Sequence, residues 1–189
     1  MLFAKEVLVN SGSRTEKIPV GVHTACEVTS VETGDNYIDF NYRDAEGRVN
    51  NKRVWYPDIT KINQLPDEDI KAAFNRVTQE NLAHIVKHMH IFLTTDEINS
   101  FAAPDFVSFA VKAAAMISPK VGNKKVNLKV ILDYNGEFTA FGRYPDYVEE
   151  HVPGEEPKLK FTTWEKANRT TKKVDEQLAV QNSTTSQLY

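Results

Sequence analysis

The sequence predicts a mainly β domain: a five-stranded antiparallel barrel carrying an enlarged helical block between its third and fourth strands. Three observations predict it. Residues 18–55 hold three extended runs with alternating apolar positions, residues 66–117 repeat apolar side chains at helical spacing, and residues 126–145 hold two alternating runs joined at Asn135-Gly136.

The first strand is IPVGVHTACEVTSVET, residues 18–33, where Val20, Val22, Thr24, Cys26 and Val28 fall on one side. A hairpin follows in YIDFNYRDAEGRVNNKRVWYP, residues 37–57. Its Asp44-Ala45-Glu46-Gly47-Arg48 run reads as a type I turn with the glycine in the left-handed region, which fixes the register. Asp44 then opposes Arg48, Tyr42 faces Asn50, Phe40 faces Lys52 and Ile38 faces Val54. On the other face Arg43 meets Val49, Asn41 meets Asn51, Asp39 meets Arg53 and Tyr37 meets Trp55. One face is apolar. The other gathers Tyr37, Trp55, Arg43, Arg53 and Asn51, a set poor for a core but suited to stacking bases and holding phosphates.

Beyond Pro57 the period changes. Ile70, Phe74, Val77, Leu82, Ile85, Met89 and Phe92 predict one or two helices, Thr94 with Glu97 forms a capping box for a short one, and Phe106, Phe109, Ala110, Ala113, Ala114 and Ile117 mark another after Pro104. The second hairpin is expected to turn in type I′ geometry at Asn135-Gly136, setting Leu132 against Thr139, Val130 against Phe141 and Leu128 against Arg143. These elements make residues 1–148 one domain with the helical insertion 66–117. Residues 149–189 are expected to be a charged Pro/Gly linker and an arm, its end beyond about residue 175 disordered. Within it KLKFTTWEKANRTTKK, residues 158–173, is either a basic arm for nucleic acid or a helix docking its aromatics on the barrel.

Composition bounds the function. With 189 residues, 41% hydrophobic and 26% charged, the chain can bury a core of its own. A net charge of −3 and a pI near 6.0 leave any phosphate binding to local patches. The single cysteine, Cys26, excludes an internal disulfide framework and cysteine-cluster zinc motifs. No apolar run is long enough for a membrane span and the start lacks a signal-peptide pattern, so a cytoplasmic protein is expected.

Three strands, helices and two strands is the order of an OB-fold. The chain resembles the OB-fold single-stranded DNA-binding proteins, most closely those encoded by bacteriophages, in IPVGVHTACEVTSVET, in YIDFNYRDAEGRVNNKRVWYP and in the closing LKVILDYNGEFTAFGRYPDYVE. The likeness covers residues 18–148. It implies sequence-tolerant binding of single-stranded DNA in phage replication, recombination or repair, within the host cytoplasm and beside replication or recombination proteins. Two departures stand out: the helical block exceeds what a minimal OB-fold needs, and the chain ends in SQLY where bacterial members carry an acidic tail that recruits partners.

The residues expected to touch DNA are Tyr37, Trp55 and Phe138 by stacking, Asn51 beside them, and Arg43, Lys52, Arg53, Lys124, Lys125 and Lys129 at phosphates, with Lys120 near the last three. Glu80, His84 and His88 share a helix face at i, i+4 spacing, but no HExxH arrangement accompanies them, so no metal or other cofactor is expected. Asp133 and Glu137, and Asp67 to Asp69, sit where carboxylates cap turns and helices, and no catalytic pair emerges. The rival reading is a protein-interaction module that binds a host or replisome protein through its helical block. The sequence leaves the oligomeric state open.

Overall fold

The structure, a computed structural model, describes residues 16–171. The expected disorder beyond residue 175 therefore lies outside the described residues.

Strands β1 (Gly21–Gly34), β2 (Tyr37–Arg43) and β3 (Val49–Trp55) run in sequence. Helices α1 (Ile70–Phe92), α2 (Thr95–Asn99) and α3 (Phe106–Ile117) follow, then β4 (Lys125–Leu132), β5 (Thr139–Ala140), β6 (Val148–Glu150) and helix α4 (Thr163–Asn168). The antiparallel sheet has the order β3-β2-β1-β4-β5, with β6 also paired to β4. It curls into a half-barrel. Its outer margins approach through side chains: Asn50 Nδ2 donates to Thr139 Oγ1 at 3.4 Å and Lys52 Nζ to the Gly142 carbonyl at 3.1 Å.

The curl originates in β1. Its pairing with β4 slips between His23 and Cys26, where Ala25 takes φ 55°, and its pairing with β2 slips between Val28 and Ser30. An extra residue on one strand bends it and sharpens its twist, so one long strand serves β2 with one half and β4 with the other. The unbroken alternation expected from Val20 to Val28 is corrected accordingly: Cys26 and Val28 are buried, then Val31. Burial pushes the Cys26 thiol up to about 12, leaving it an inert small apolar group.

The β2–β3 hairpin has the register read from its turn, from Tyr37 opposite Trp55 to Arg43 opposite Val49. Gly47 has φ 82°, and Asp44 Oδ1 accepts from the amides of Glu46 and Arg48. The second hairpin is corrected. Leu132 does face Thr139, but Gly136 N–H donates to the Asp133 carbonyl and only the glycine has positive φ. A type I′ turn needs positive φ at Asn135 too. Asp133 Oδ1 accepts from the Glu137 and Phe138 amides, so this turn is another aspartate-led one. β5 then ends at Ala140, and Leu128 faces Val148 of β6 where Arg143 was expected.

Each main helix starts at an aspartate whose carboxylate accepts an amide of the first turn: Asp69 from Ala72 and Asp105 from Ser108. The Thr94/Glu97 capping box is present on α2. α3 packs Ala110, Ala113 and Ile117 against β1 and β2, and the C-terminal half of α1 lays Ile85, His88 and Met89 on the sheet.

Residues 149–171, read from sequence as linker and arm, are part of this body. β6 pairs with β4, a Thr162/Glu165 capping box starts α4, and Leu132 N–H donates to the Arg169 carbonyl at 2.8 Å. Beneath α4, the fully buried Lys129 ammonium donates to Asp146 at 2.8 Å, to Glu165 at 3.1 Å and to the Lys160 carbonyl at 3.3 Å.

Candidate nucleic-acid interface

Strand pairing puts opposing residues on one face, so the outer surface of β1–β3 is a set of rows. Gly34, Tyr37 and Trp55 form the first, Glu32, Asp39 and Arg53 the second, Ser30, Asn41 and Asn51 the third, and Glu27, Arg43 and Val49 the fourth. Lys125 extends the last row from β4.

The first two rows make a platform. A Cβ at position 34 would come within 2.3 Å of the Tyr37 ring, so the glycine is what lets that ring lie down on the sheet. Trp55 meets Tyr37 edge-on at 5.2 Å and is 48% exposed. Arg53 lies over both, 4.0 Å from the Tyr37 centroid and 5.1 Å from that of Trp55. Both oxygens of the buried Asp39 accept from Arg53 Nε at 3.0 Å. In the third row Asn41 donates to Ser30 Oγ at 2.9 Å, while Asn51 stands exposed.

Charge on this face is nearly balanced. Asp39 offsets Arg53, and Glu27 pairs with Lys125, which holds the Glu27 carboxyl below its usual range. Lys124 pairs with Glu150 at 2.9 Å and Lys120 with Glu97 at 2.6 Å. Among the described residues Arg43 is exposed and makes no ion pair. The basic cluster expected around residues 120–129 is thus mostly neutralised by carboxylates from β1, β6 and α2.

Two expected contacts are corrected. Lys129 is 0% exposed and held by Asp146 and Glu165, so no phosphate reaches it. Lys52 belongs to the inner face of β3; desolvation lowers its ammonium to about 8, and its Nζ is spent on Gly142. Phe138 is 66% exposed at the second hairpin's turn and belongs to none of the rows of β1–β3.

The histidines of α1 are core residues. His88 Nδ1 donates to the His84 carbonyl at 2.7 Å, so its Nε2 accepts the Tyr42 hydroxyl at 2.6 Å, and its ring stacks on Phe40 at 3.6 Å. His84 Nε2 donates to the Arg143 carbonyl at 2.7 Å. Burial lowers His88 to about 3 and His84 to about 4. Glu80 turns outward to Arg143 and Arg76. Among the described residues no group of histidine, cysteine and carboxylate side chains is placed to hold a metal ion, and no helix is long and apolar enough to cross a membrane.

Sequence reading paired Asp39 with Arg53 without weighing the charge this removes; the cross-strand register was the available signal. Of the two readings of residues 158–173, the docked helix is the one observed, and the Thr162-x-x-Glu165 capping box was the signal that favoured it. Comparison with protein-family models, with curated proteins and with solved structures finds no match to this chain.

Proposed function

We propose that this chain binds single-stranded DNA with little sequence preference, in replication, recombination or repair, and that its curled sheet is an OB-fold barrel with an enlarged helical block. The observation that carries the reading is the platform of Tyr37, Trp55 and Arg53 on the open face of β2 and β3, with Asn51 and Arg43 further along the same strands. Aromatic faces hold any base, and exposed cations beside them hold the backbone. Lys124 and Lys125 are phosphate contacts in this reading only by exchanging their carboxylate partners for DNA, as Arg53 would exchange Asp39.

The near-balance of charge predicts moderate affinity and a shallow salt dependence compared with strongly basic binders. Fluorescence-polarisation titration of labelled single-stranded dT and of a duplex tests the proposal. Binding of the single strand well above the duplex is the expected result; equal binding, or none, refutes it.

A second reading is favoured by Tyr56 and Ile59, exposed around a cavity that Pro57 and, from α1, Phe74 also line. In that reading the helical block docks a replisome or host protein. It predicts no single-strand binding, so the same titration separates the two.

A further inference from the structure

At the far end of β4 a second aromatic cluster surrounds a cation. Arg169 follows α4 and is fixed by the strand end: its carbonyl accepts from Leu132 N–H at 2.8 Å and its Nε donates to the Leu132 carbonyl at 2.5 Å. Its guanidinium carbon lies 4.1 Å from the Tyr134 ring centroid and 5.9 Å from that of Trp164. Both rings turn outward, Tyr134 71% and Trp164 55% exposed, whereas Arg169 is 6% exposed. Among the described residues Arg169 makes no ion pair, and its two terminal nitrogens make no hydrogen bond.

Here the two clusters differ. Arg53 is ion-paired to Asp39, while Arg169 makes no ion pair among the described residues and meets the Asp133 carboxylate only through longer-range attraction. A desolvated cation stacked between rings strengthens its attraction for an anion, since little water competes for its free N–H groups. The cluster also has a route to the first platform. Phe138, four residues from Tyr134, lines a cavity with Lys17 and Thr170, and Lys17 lines a second cavity with Asn41, Val49 and Asn51 on the outer face of the sheet. One exposed lysine therefore joins the sheet rows to the turn that carries Tyr134.

We propose that Tyr134, Trp164 and Arg169 form a second stacking and phosphate site for the same single strand, reached past Lys17 and Phe138. The inference rests on the single-strand reading above and extends it to a segment outside the barrel strands. Bases stack on the outward faces of Trp164 and Tyr134, and the terminal nitrogens of Arg169 donate to a phosphate oxygen between them.

The two tryptophans of the chain, Trp55 and Trp164, allow each site to be read separately. In Trp55→Phe the remaining emission comes from Trp164, and in Trp164→Phe from Trp55. Titration of each with dT of about 16 nucleotides, the upper range for one such fold, is expected to quench both. Trp164→Ala is expected to weaken binding of that oligonucleotide about 5- to 150-fold, the loss of one base stack, and to leave dT of about 4 nucleotides nearly unaffected. Quenching of Trp55 alone, with Trp164→Ala binding like wild type, overturns the second site and leaves the single-strand reading standing. Absence of quenching at both, with no binding by polarisation, overturns that reading and the second site with it. Quenching of Trp164 is measured on an intact ring, so it decides the matter even where Trp164→Ala weakens the fold.

Discussion

Arg53 and Asp39 face each other across the β2–β3 ladder, and the buried carboxylate accepts from Nε with both oxygens at 3.0 Å and from Nη2 with Oδ2 at 2.5 Å. The pair does two jobs with opposite electrostatic consequences. It locks the guanidinium flat against Tyr37 and Trp55, and it cancels the charge that would attract a phosphate.

Arg43 and Arg53 should therefore differ on mutation. Arg43→Ala removes an exposed, unpaired cation, so the slope of log K against log salt should become shallower by about 0.7, one phosphate contact on a single strand, with stability unchanged. Arg53→Ala leaves Asp39 buried without its partner and should cost about 1–3 kcal/mol of stability, with a smaller change of slope. Urea unfolding together with polarisation titrations at several salt concentrations measures both.

The two faces of the hairpin make a paired test. Trp55→Ala should weaken single-strand binding by about 1–3 kcal/mol and barely move the melting temperature. Phe40→Ala, on the inner face against His88, should cost about 3–5 kcal/mol of stability. Calorimetry would show the faces inverted if Trp55→Ala were the unfolding change. Gly34→Ala should act like a mild Trp55 variant, because its methyl displaces the Tyr37 ring.

Acid should loosen the core through the histidines. In the unfolded chain both protonate below about 6.5, while in the fold His84 resists until about 4 and His88 until about 3. The unfolded state binds more protons throughout that window, so stability is complete above about 6.5 and falls as pH drops toward the folded values. Urea midpoints at about pH 7 and about pH 5 should show this decline. His88→Gln should flatten the slope, whatever its effect on stability at neutral pH.

How much of this was legible depends on whether a feature is local. The β2–β3 register was, because one aspartate-glycine turn sets every pair from Tyr37–Trp55 to Arg43–Val49. The capping box at Thr94 was, because it acts within one helical turn, whereas the first helix starts at Ile70 behind Asp69 and not at Pro66 as expected. The bulges of β1 were not: Thr24-Ala25 alternates as well as its neighbours, and the slip appears only where β2 and β4 both claim the strand. Lys129 was misread for the same reason. A lysine in a strand is ordinarily solvated, and its partners Asp146 and Glu165 lie 17 and 36 residues away in the chain. Tyr37 and Trp55 were placed correctly as a pair, and Asp39 opposite Arg53, but the Tyr134–Arg169–Trp164 cluster needed three dimensions.

Lys129 supplies a further prediction. Lys129→Ala strands the buried Glu165 and should cost about 3–5 kcal/mol, as for breaking a buried pair from one side. Lys129→Met with Glu165→Gln should recover much of that loss. If α4 is held by this contact, limited proteolysis of Lys129→Ala should cut near residue 160 before the sheet is attacked.

Lys17 and Thr170 line one cavity, so the first and last of the described residues lie close together. Topologically the body is a ring with a narrow gap. A short linker closing that gap, with new ends opened at the exposed Glu46-Gly47 turn, would give a permuted chain with every strand neighbour retained.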